Sequence, residues 1–121
     1  MIPDGAVPAL LVAVGGALGA AGRFLVGQRL PSRRATALVN VLGSLVLGAV
    51  GGAVSAGYPT TLALLAGTGF CGAFTTYSTF AVELHDLLAS RRWRTLVLFG
   101  VGTLVAALAG AALGRLLVVG P

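Results

Sequence analysis

Four long apolar stretches constrain this chain more than any other feature of its sequence. They cover residues 7–25, 35–54, 62–88 and 96–119, and each reaches the roughly 20 residues that a membrane-spanning helix needs. The composition agrees, since 57% of the residues are hydrophobic and 9% are charged. We therefore predict an all-α, multi-pass protein of the cell inner membrane, with four transmembrane helices forming one integral membrane domain over residues 1–121.

The arginines indicate how such a chain is oriented. With four spans, the connectors after the first and third helices share one side of the membrane, and that side holds seven of the eight arginines: Arg23, Arg29, Arg33, Arg34, Arg91, Arg92 and Arg94. By the positive-inside rule that side is cytoplasmic and both termini lie outside. The net charge of +5 comes from arginines that mostly lie at helix ends, where they orient the protein in the membrane. No nucleic acid partner is therefore expected.

The third stretch is too long for a simple span. A continuous helix over residues 62–88 would be about 40 Å long, against a hydrocarbon core of roughly 30 Å. Glycines at 67, 69 and 72 and the hydroxyl side chains that follow them favour a break near residues 69–76, since glycine tolerates unusual dihedrals and hydroxyls can satisfy freed backbone groups. We predict half-helices over 62–69 and 76–88, with carbonyls between them exposed to an ion.

Small residues indicate close helix packing. Gly-x-x-x-Gly pairs occur at Gly15 and Gly19, at Gly48 and Gly52, and at Gly110 and Gly114. Such pairs let helix backbones approach closely, but the pattern does not distinguish packing within one chain from packing between chains. Four short helices can hardly enclose a pore alone, so we expect an oligomer supported by these faces.

Several polar and aromatic residues within the spans are candidates for function, each with an ordinary alternative. Asn40 either makes an interhelical hydrogen bond or donates to an anion in a desolvated pore. Tyr77 and Phe80 share a helix face, either as an aromatic core pair or as ring edges that face an anion. Glu83 is either a solvated helix end or part of a vestibule. No combination of nucleophile, base and orienting group indicates an enzyme.

Three segments together resemble one family. They are Gly-Gly-Ala-Leu-Gly-Ala-Ala-Gly-Arg-Phe at 15–24, Leu-Val-Asn-Val-Leu-Gly-Ser at 38–44, and Gly-Phe-Cys-Gly-Ala-Phe-Thr-Thr-Tyr-Ser-Thr-Phe at 69–80. The chain resembles the CrcB/Fluc family of fluoride channels along nearly its whole length. The resemblance implies an antiparallel dimer whose two pores export fluoride passively from the cytoplasm and so relieve its toxicity.

The resemblance also implies roles for individual residues. It places a fluoride pathway at Asn40, Tyr77, Ser78, Thr79, Phe80 and Glu83. In that pathway the amide and hydroxyls donate to fluoride, the ring edges line the path, and the glutamate belongs to a vestibule. The backbone carbonyls of Gly72 and Thr75 would hold a structural sodium ion at the dimer centre.

Two features depart from the family pattern. Tyr77 replaces a usual phenylalanine, and its hydroxyl needs a partner. The arginine bias is also unexpected, because a chain that inserts in both orientations to build an antiparallel homodimer needs nearly balanced arginines. We therefore expect either a homodimer or, as the bias suggests, a heterodimer with a related subunit of opposite bias.

Two other functions fit the sequence less well. A small multidrug exporter has similar size and helix number, but it needs a membrane-embedded acid in its first helix, and residues 7–25 contain none. A structural or assembly subunit would instead tolerate substitution of Asn40 or Phe80 without any change in transport.

Overall fold

The protein is all-helical over residues 5–121, the part of the chain that the computed structural model describes. In chain order the helices are α1 (Ala6–Arg29), α2 (Ser32–Ser55), α3 (Thr60–Leu62), a π-helical segment (Ala63–Cys71), α4 (Gly72–Phe74), α5 (Tyr77–Ala89) and α6 (Trp93–Val119). Helices α1, α2 and α6 are each long and apolar enough to cross a membrane. The predicted all-α membrane fold is confirmed.

The connectors between the helices are short, and proline and glycine define them. Leu30 is extended immediately before Pro31, which precedes α2, as expected because a residue before proline disfavours the helical region. Gly57 has a φ of 98° in the turn after α2, a conformation that glycine adopts without steric cost. Pro59 then precedes α3.

The interruption of the third crossing lies within the predicted range of residues 69–76, but the first half-helix is longer than predicted and the glycines do not cause the break. The first half does not end at residue 69 but continues through the π-helical segment to Phe74, and α5 begins at Tyr77. Only Thr75 and Thr76 are extended, with ψ values of 162° and 119°. The expectation that the glycines break the helix is wrong, because Gly72 keeps helical dihedrals of −60° and −35°.

Gly69 of this segment serves close packing against α1 instead. A Cβ added to Gly69 would lie 2.8 Å from the carbonyl oxygen of Val12, and one added to Gly15 would lie 2.0 Å from that of Leu65. At Gly19 the clash would be with the carbonyl oxygen of Phe70, at 2.2 Å. Helix α1 and the π-helical segment are therefore in backbone contact, which only residues without a Cβ permit.

The other two glycine pairs join α2 to α6. A Cβ at Gly48 would lie 2.0 Å from the carbonyl oxygen of Ala111, and a Cβ at Gly114 would lie 2.0 Å from that of Leu45. All three Gly-x-x-x-Gly pairs thus pack within one chain. The expectation that these faces remain available for an oligomer is wrong, and any interface between chains must use other surfaces.

The same contacts give the direction of each helix. Residue numbers rise together along α1 and the π-helical segment, and along α2 and α6, so each pair is parallel. Asn40 bonds to Thr76, whereas the earlier residue Ser32 bonds to the later residue Glu83, so α2 and the third crossing are antiparallel. The chain therefore crosses up, down, up and down, and α2 lies beside the interruption.

Candidate functional site

Asn40 bonds to both backbone polar groups of Thr76, one of the two extended residues at the interruption. The backbone N–H of Thr76 donates to Oδ1 of Asn40 at 2.8 Å, and Nδ2 of Asn40 donates to the carbonyl oxygen of Thr76 at 3.0 Å. Thr76 is buried, and a buried backbone group without a partner is costly. An asparagine supplies both the donor and the acceptor that one extended residue needs.

This pairing also fixes the orientation of the Asn40 amide. Because a backbone N–H can only donate, the atom facing it must be the amide oxygen. The NH₂ group carries two hydrogens and uses one on Thr76. The second hydrogen has no acceptor among residues 5–121, and Asn40 lines a groove.

The interruption removes the usual helical donors of the backbone carbonyls of Gly72 and Thr75, the two carbonyls predicted to hold an ion. Thr76 N–H, which would bond to Gly72 in a continuous helix, bonds to Asn40 instead. Thr79 N–H, which would bond to the Thr75 carbonyl, caps α5 by donating to Oγ1 of Thr76 at 3.2 Å. The Thr75 carbonyl accepts from Nη1 of Arg23 at 3.2 Å, so Arg23 of α1 contacts the site.

An open groove runs along the face of the chain that carries Asn40. Its volume is about 430 Å³, and α2, the third crossing and α6 all contribute to it. Among the predicted residues, it brings together Asn40, Gly72, Thr75, Tyr77 and Phe80. Its wall is mainly apolar, with a few amide and hydroxyl groups placed along it, as in a site that handles a small polar ligand.

The two predicted aromatic residues have different surroundings. Tyr77 is 82% exposed, so it is not part of a core pair with Phe80. Phe80 packs instead against Phe99 of α6, with ring centroids 5.2 Å apart and planes tilted by 46°. One face of the Phe80 ring is thus supported by α6 while its side chain lines the groove.

The predicted hydroxyl residues lie next to the groove rather than in its wall. Thr79 is exposed at the start of α5, where its Oγ1 accepts from Oγ1 of Thr76 at 3.0 Å. It lines a neighbouring cavity of about 260 Å³ together with Arg23 and Thr36. Ser78 is also exposed, and its Oγ is 3.5 Å from Oγ1 of Thr76.

Glu83 is buried rather than solvated at a helix end. Only 8% of its surface is exposed, and its Oε1 accepts a hydrogen bond from the Ser32 hydroxyl at the start of α2. Its other oxygen, Oε2, is buried and has no hydrogen-bond partner among residues 5–121. A carboxyl group kept from water and bonded on one side is costly, so the interpretation of Glu83 as an ordinary helix terminus is wrong.

Sequence reasoning missed four further polar residues at these sites. Ser44 and Thr103 line the groove, and Thr36 and Ser32 line the neighbouring cavity. Thr36 and Thr103 are almost fully buried, at 3% and 7% exposure. A signal was present, since Thr103 is an isolated hydroxyl within the apolar run of α6, where polar residues mark interiors or water-filled paths.

The fold and the site together define a class of protein. It is a small helical membrane protein whose third span is interrupted at mid-length and whose interruption borders a groove lined with hydrogen-bond donors and an aromatic ring. A family model described as CrcB-like protein, Camphor Resistance (CrcB), matches residues 10–115. The chain belongs to the CrcB family.

Individual relatives agree with this assignment. Fluoride-specific ion channel FluC 2 of Rhodococcus jostii (strain RHA1) is 53% identical over 109 residues, covering 87% of this chain and 93% of the relative. Fluoride-specific ion channel FluC 1 of Halalkalibacterium halodurans is 41% identical over 117 residues, covering 87% and 92%. Fluoride-specific ion channel FluC 1 of the same Rhodococcus jostii strain is 42% identical over 111 residues, covering 90% and 83%.

Proposed function

We infer that the protein is a fluoride-selective ion channel, not an enzyme, and that it lets fluoride leave the cytoplasm passively. The observation that carries this function is the high identity, along most of both chains, to relatives named as fluoride-specific channels. The groove is chemically suited to the task. Fluoride is small and strongly hydrated, so its path must replace water with donors that admit it yet release it.

We assign the donor roles from the groove and its neighbouring cavity. The free hydrogen of the Asn40 amide is held in a fixed direction, which is an advantage for a donor that must bind without reorganising. Ring edges carry partial positive charge, so Phe80 and Tyr77 suit an anion path. We extend the pathway to Ser78, Thr79 and Glu83, because these polar residues lie on α5 with Tyr77 and Phe80. They do not line the groove itself.

We propose that the Gly72 and Thr75 carbonyls hold a structural sodium ion. The fit is favourable, since both carbonyls lose their helical donors at the interruption, and exposed carbonyls are ligands that hard cations accept. The Arg23 guanidinium already bonds to Thr75, but a carbonyl oxygen has two lone pairs. Two carbonyls from one chain make a small ligand set, so a second chain would have to complete it.

A second chain would also complete the pathway. The groove is open on one side, and Tyr77 is 82% exposed within it, which leaves an ion facing lipid in a single chain. We propose an antiparallel dimer that closes the groove. The seven-to-one arginine bias favours a heterodimer with a related subunit, and one Rhodococcus jostii strain has two numbered relatives of this chain. A homodimer requires this chain to insert in both orientations.

Phe80 offers a well-controlled test of the pathway. Phe80→Leu is compared with Phe70→Leu, because each ring is half-buried and packs on another ring at 5.2 Å, but only Phe80 lines the groove. Fluoride efflux from liposomes should fall about tenfold in Phe80→Leu, the effect of losing about 1.4 kcal/mol. It should stay near wild type in Phe70→Leu. Equal efflux from the two folded variants would refute the assignment of the groove.

The partner question has a separate test. Topology reporters at both termini should show one predominant orientation, and efflux should require co-expression with a related subunit of opposite arginine bias. An even split between orientations, with efflux from this chain alone, would contradict the heterodimer and leave the channel function intact.

A further inference from the structure

A second groove lies on the surface between α2 and α6. It shares Thr103 with the first groove, but none of the residues assigned to the fluoride pathway lines it. Its volume is about 640 Å³. Arg33 and Arg34 line one end, together with Thr95. The remainder is apolar and includes Leu98, which is 65% exposed, and the exposed small residues Gly102 and Ala106.

The dimensions of this groove match one leaflet of a bilayer. Thr95 and Ala106 are eleven positions apart on a single helix, which is about 16 Å at about 1.5 Å per residue. Half of a hydrocarbon core of roughly 30 Å is about 15 Å. The groove therefore begins at the level of lipid headgroups and ends near the bilayer midplane.

The charged end of the groove has no protein counter-ion within residues 5–121. Arg33 and Arg34 are exposed, and neither has a carboxylate of that part of the chain within 4 Å; the one close contact there between a basic and an acidic side chain is between His85 and Asp86. The first turns of α2 and α6 also begin here, and neither has a side-chain cap. Uncapped N–H groups and the positive end of each helix dipole add to the attraction for an anion.

We propose that this groove binds one anionic phospholipid. Its phosphate lies between Arg33 and Arg34, and one acyl chain lies along α6 past Gly102 to Ala106. The arginine-rich side of the protein is the side predicted to be cytoplasmic, where anionic lipids concentrate and attract basic residues. A helix of another protein copy fits less well, because it would bury two guanidinium groups that need compensating charge.

Trp93, the sole tryptophan of the chain, gives a direct readout because it starts α6 beside the charged end. The protein is placed in phosphatidylcholine vesicles that contain a small fraction of brominated phosphatidylglycerol or, separately, brominated phosphatidylcholine. We expect the anionic lipid to quench Trp93 at lower mole fraction, with an affinity preference of about thirtyfold, which is about 2 kcal/mol for two arginines.

Two pairs of variants test the headgroup and the acyl chain separately. The double variant Arg33→Gln and Arg34→Gln should abolish the preference. The double variant Arg29→Gln and Arg91→Gln should preserve it, because those two arginines lie on the same side of the membrane but do not line the groove. Gly102→Leu should also reduce it, whereas Gly51→Leu should not. A Cβ added at either glycine would meet no atom within 4 Å, and equilibrium unfolding of both variants checks that the longer side chain leaves folding unchanged.

Three results would overturn the proposal. The first is equal quenching by the two brominated lipids in the wild type. The second is an equal loss of preference in both arginine pairs, which would indicate general surface charge rather than a site. The third is efficient disulfide formation between copies that carry Ala106→Cys and Cys71→Ser, which would show a second copy in the groove.

Discussion

Asn40 should act as a structural clamp as well as a donor to fluoride. In Asn40→Ala, the N–H and carbonyl of Thr76 both lose their partners. Thr76 is 7% exposed and lies within a membrane span, so water is a poor substitute. The substitution should therefore destabilise the whole third crossing in addition to slowing fluoride.

The magnitude follows from the two lost hydrogen bonds. Interhelical hydrogen bonds in membrane proteins contribute about 0.6 kcal/mol on average and up to about 1.7 kcal/mol. Two such bonds to one buried residue contribute about 1 to 3.5 kcal/mol, and we expect about 2 kcal/mol. A loss of that size lowers the ratio of folded to unfolded protein by about thirtyfold.

The assay is equilibrium unfolding in detergent micelles, with liposome efflux measured on the same preparations. Ser44→Ala is the matched control, because Ser44 lies one turn further along α2, is half-buried and lines the same groove. Asn40→Ala should unfold at clearly lower denaturant than Ser44→Ala. If the two variants unfold together, the clamp does not stabilise the interruption, and the reasoning from buried backbone groups is refuted.

Three further predictions concern packing, the groove and the buried acid. Gly19→Ala should destabilise the protein by about 1 to 3 kcal/mol in micelle unfolding, because its Cβ would lie 2.2 Å from the Phe70 carbonyl oxygen. Gly16→Ala should not, because its Cβ would lie 3.9 Å from the nearest atom, the Gly69 carbonyl oxygen. Equal losses of stability in the two variants would contradict the close packing. Tyr77→Phe should leave the unfolding free energy within about 0.5 kcal/mol, because the side chain is 82% exposed, and should conduct fluoride at least as fast in liposomes; a loss of efflux would show that the hydroxyl is required. Glu83→Gln should be at least as stable as the wild type, because it removes a buried carboxyl whose Oε2 has no partner in residues 5–121. It should also slow fluoride efflux from liposomes, and unchanged efflux would remove Glu83 from the pathway.

The fold was largely predictable because lipid imposes a simple length rule. Any apolar stretch of roughly 20 residues must be helical to satisfy its backbone, and that rule alone identifies α1, α2 and α6. The rule also required an interruption in the overlong third stretch. Sequence reasoning placed the interruption near residues 69–76, which contains the observed break at Thr75 and Thr76. It attributed the break to the glycines, whereas in the structure Gly69 allows the close approach to α1.

The candidate site was less predictable, because its decisive contacts join distant parts of the chain. Asn40 and Thr76 are 36 positions apart, and Ser32 and Glu83 are 51 apart. A polar residue in an apolar helix signals that a partner exists, but sequence periodicity does not say which one. The Phe80 and Phe99 pair was missed for the same reason, since helical spacing indicated Tyr77 as the neighbour of Phe80.

The most direct test of the central claim is the selectivity of ion efflux from reconstituted liposomes. Fluoride and chloride are followed separately under a potassium and valinomycin clamp, with this chain alone and with a related subunit of opposite arginine bias. We predict fast fluoride efflux and no chloride efflux in at least one of the two preparations. Equal efflux of both anions, or none from folded protein in either preparation, would contradict the assignment of a fluoride-selective channel.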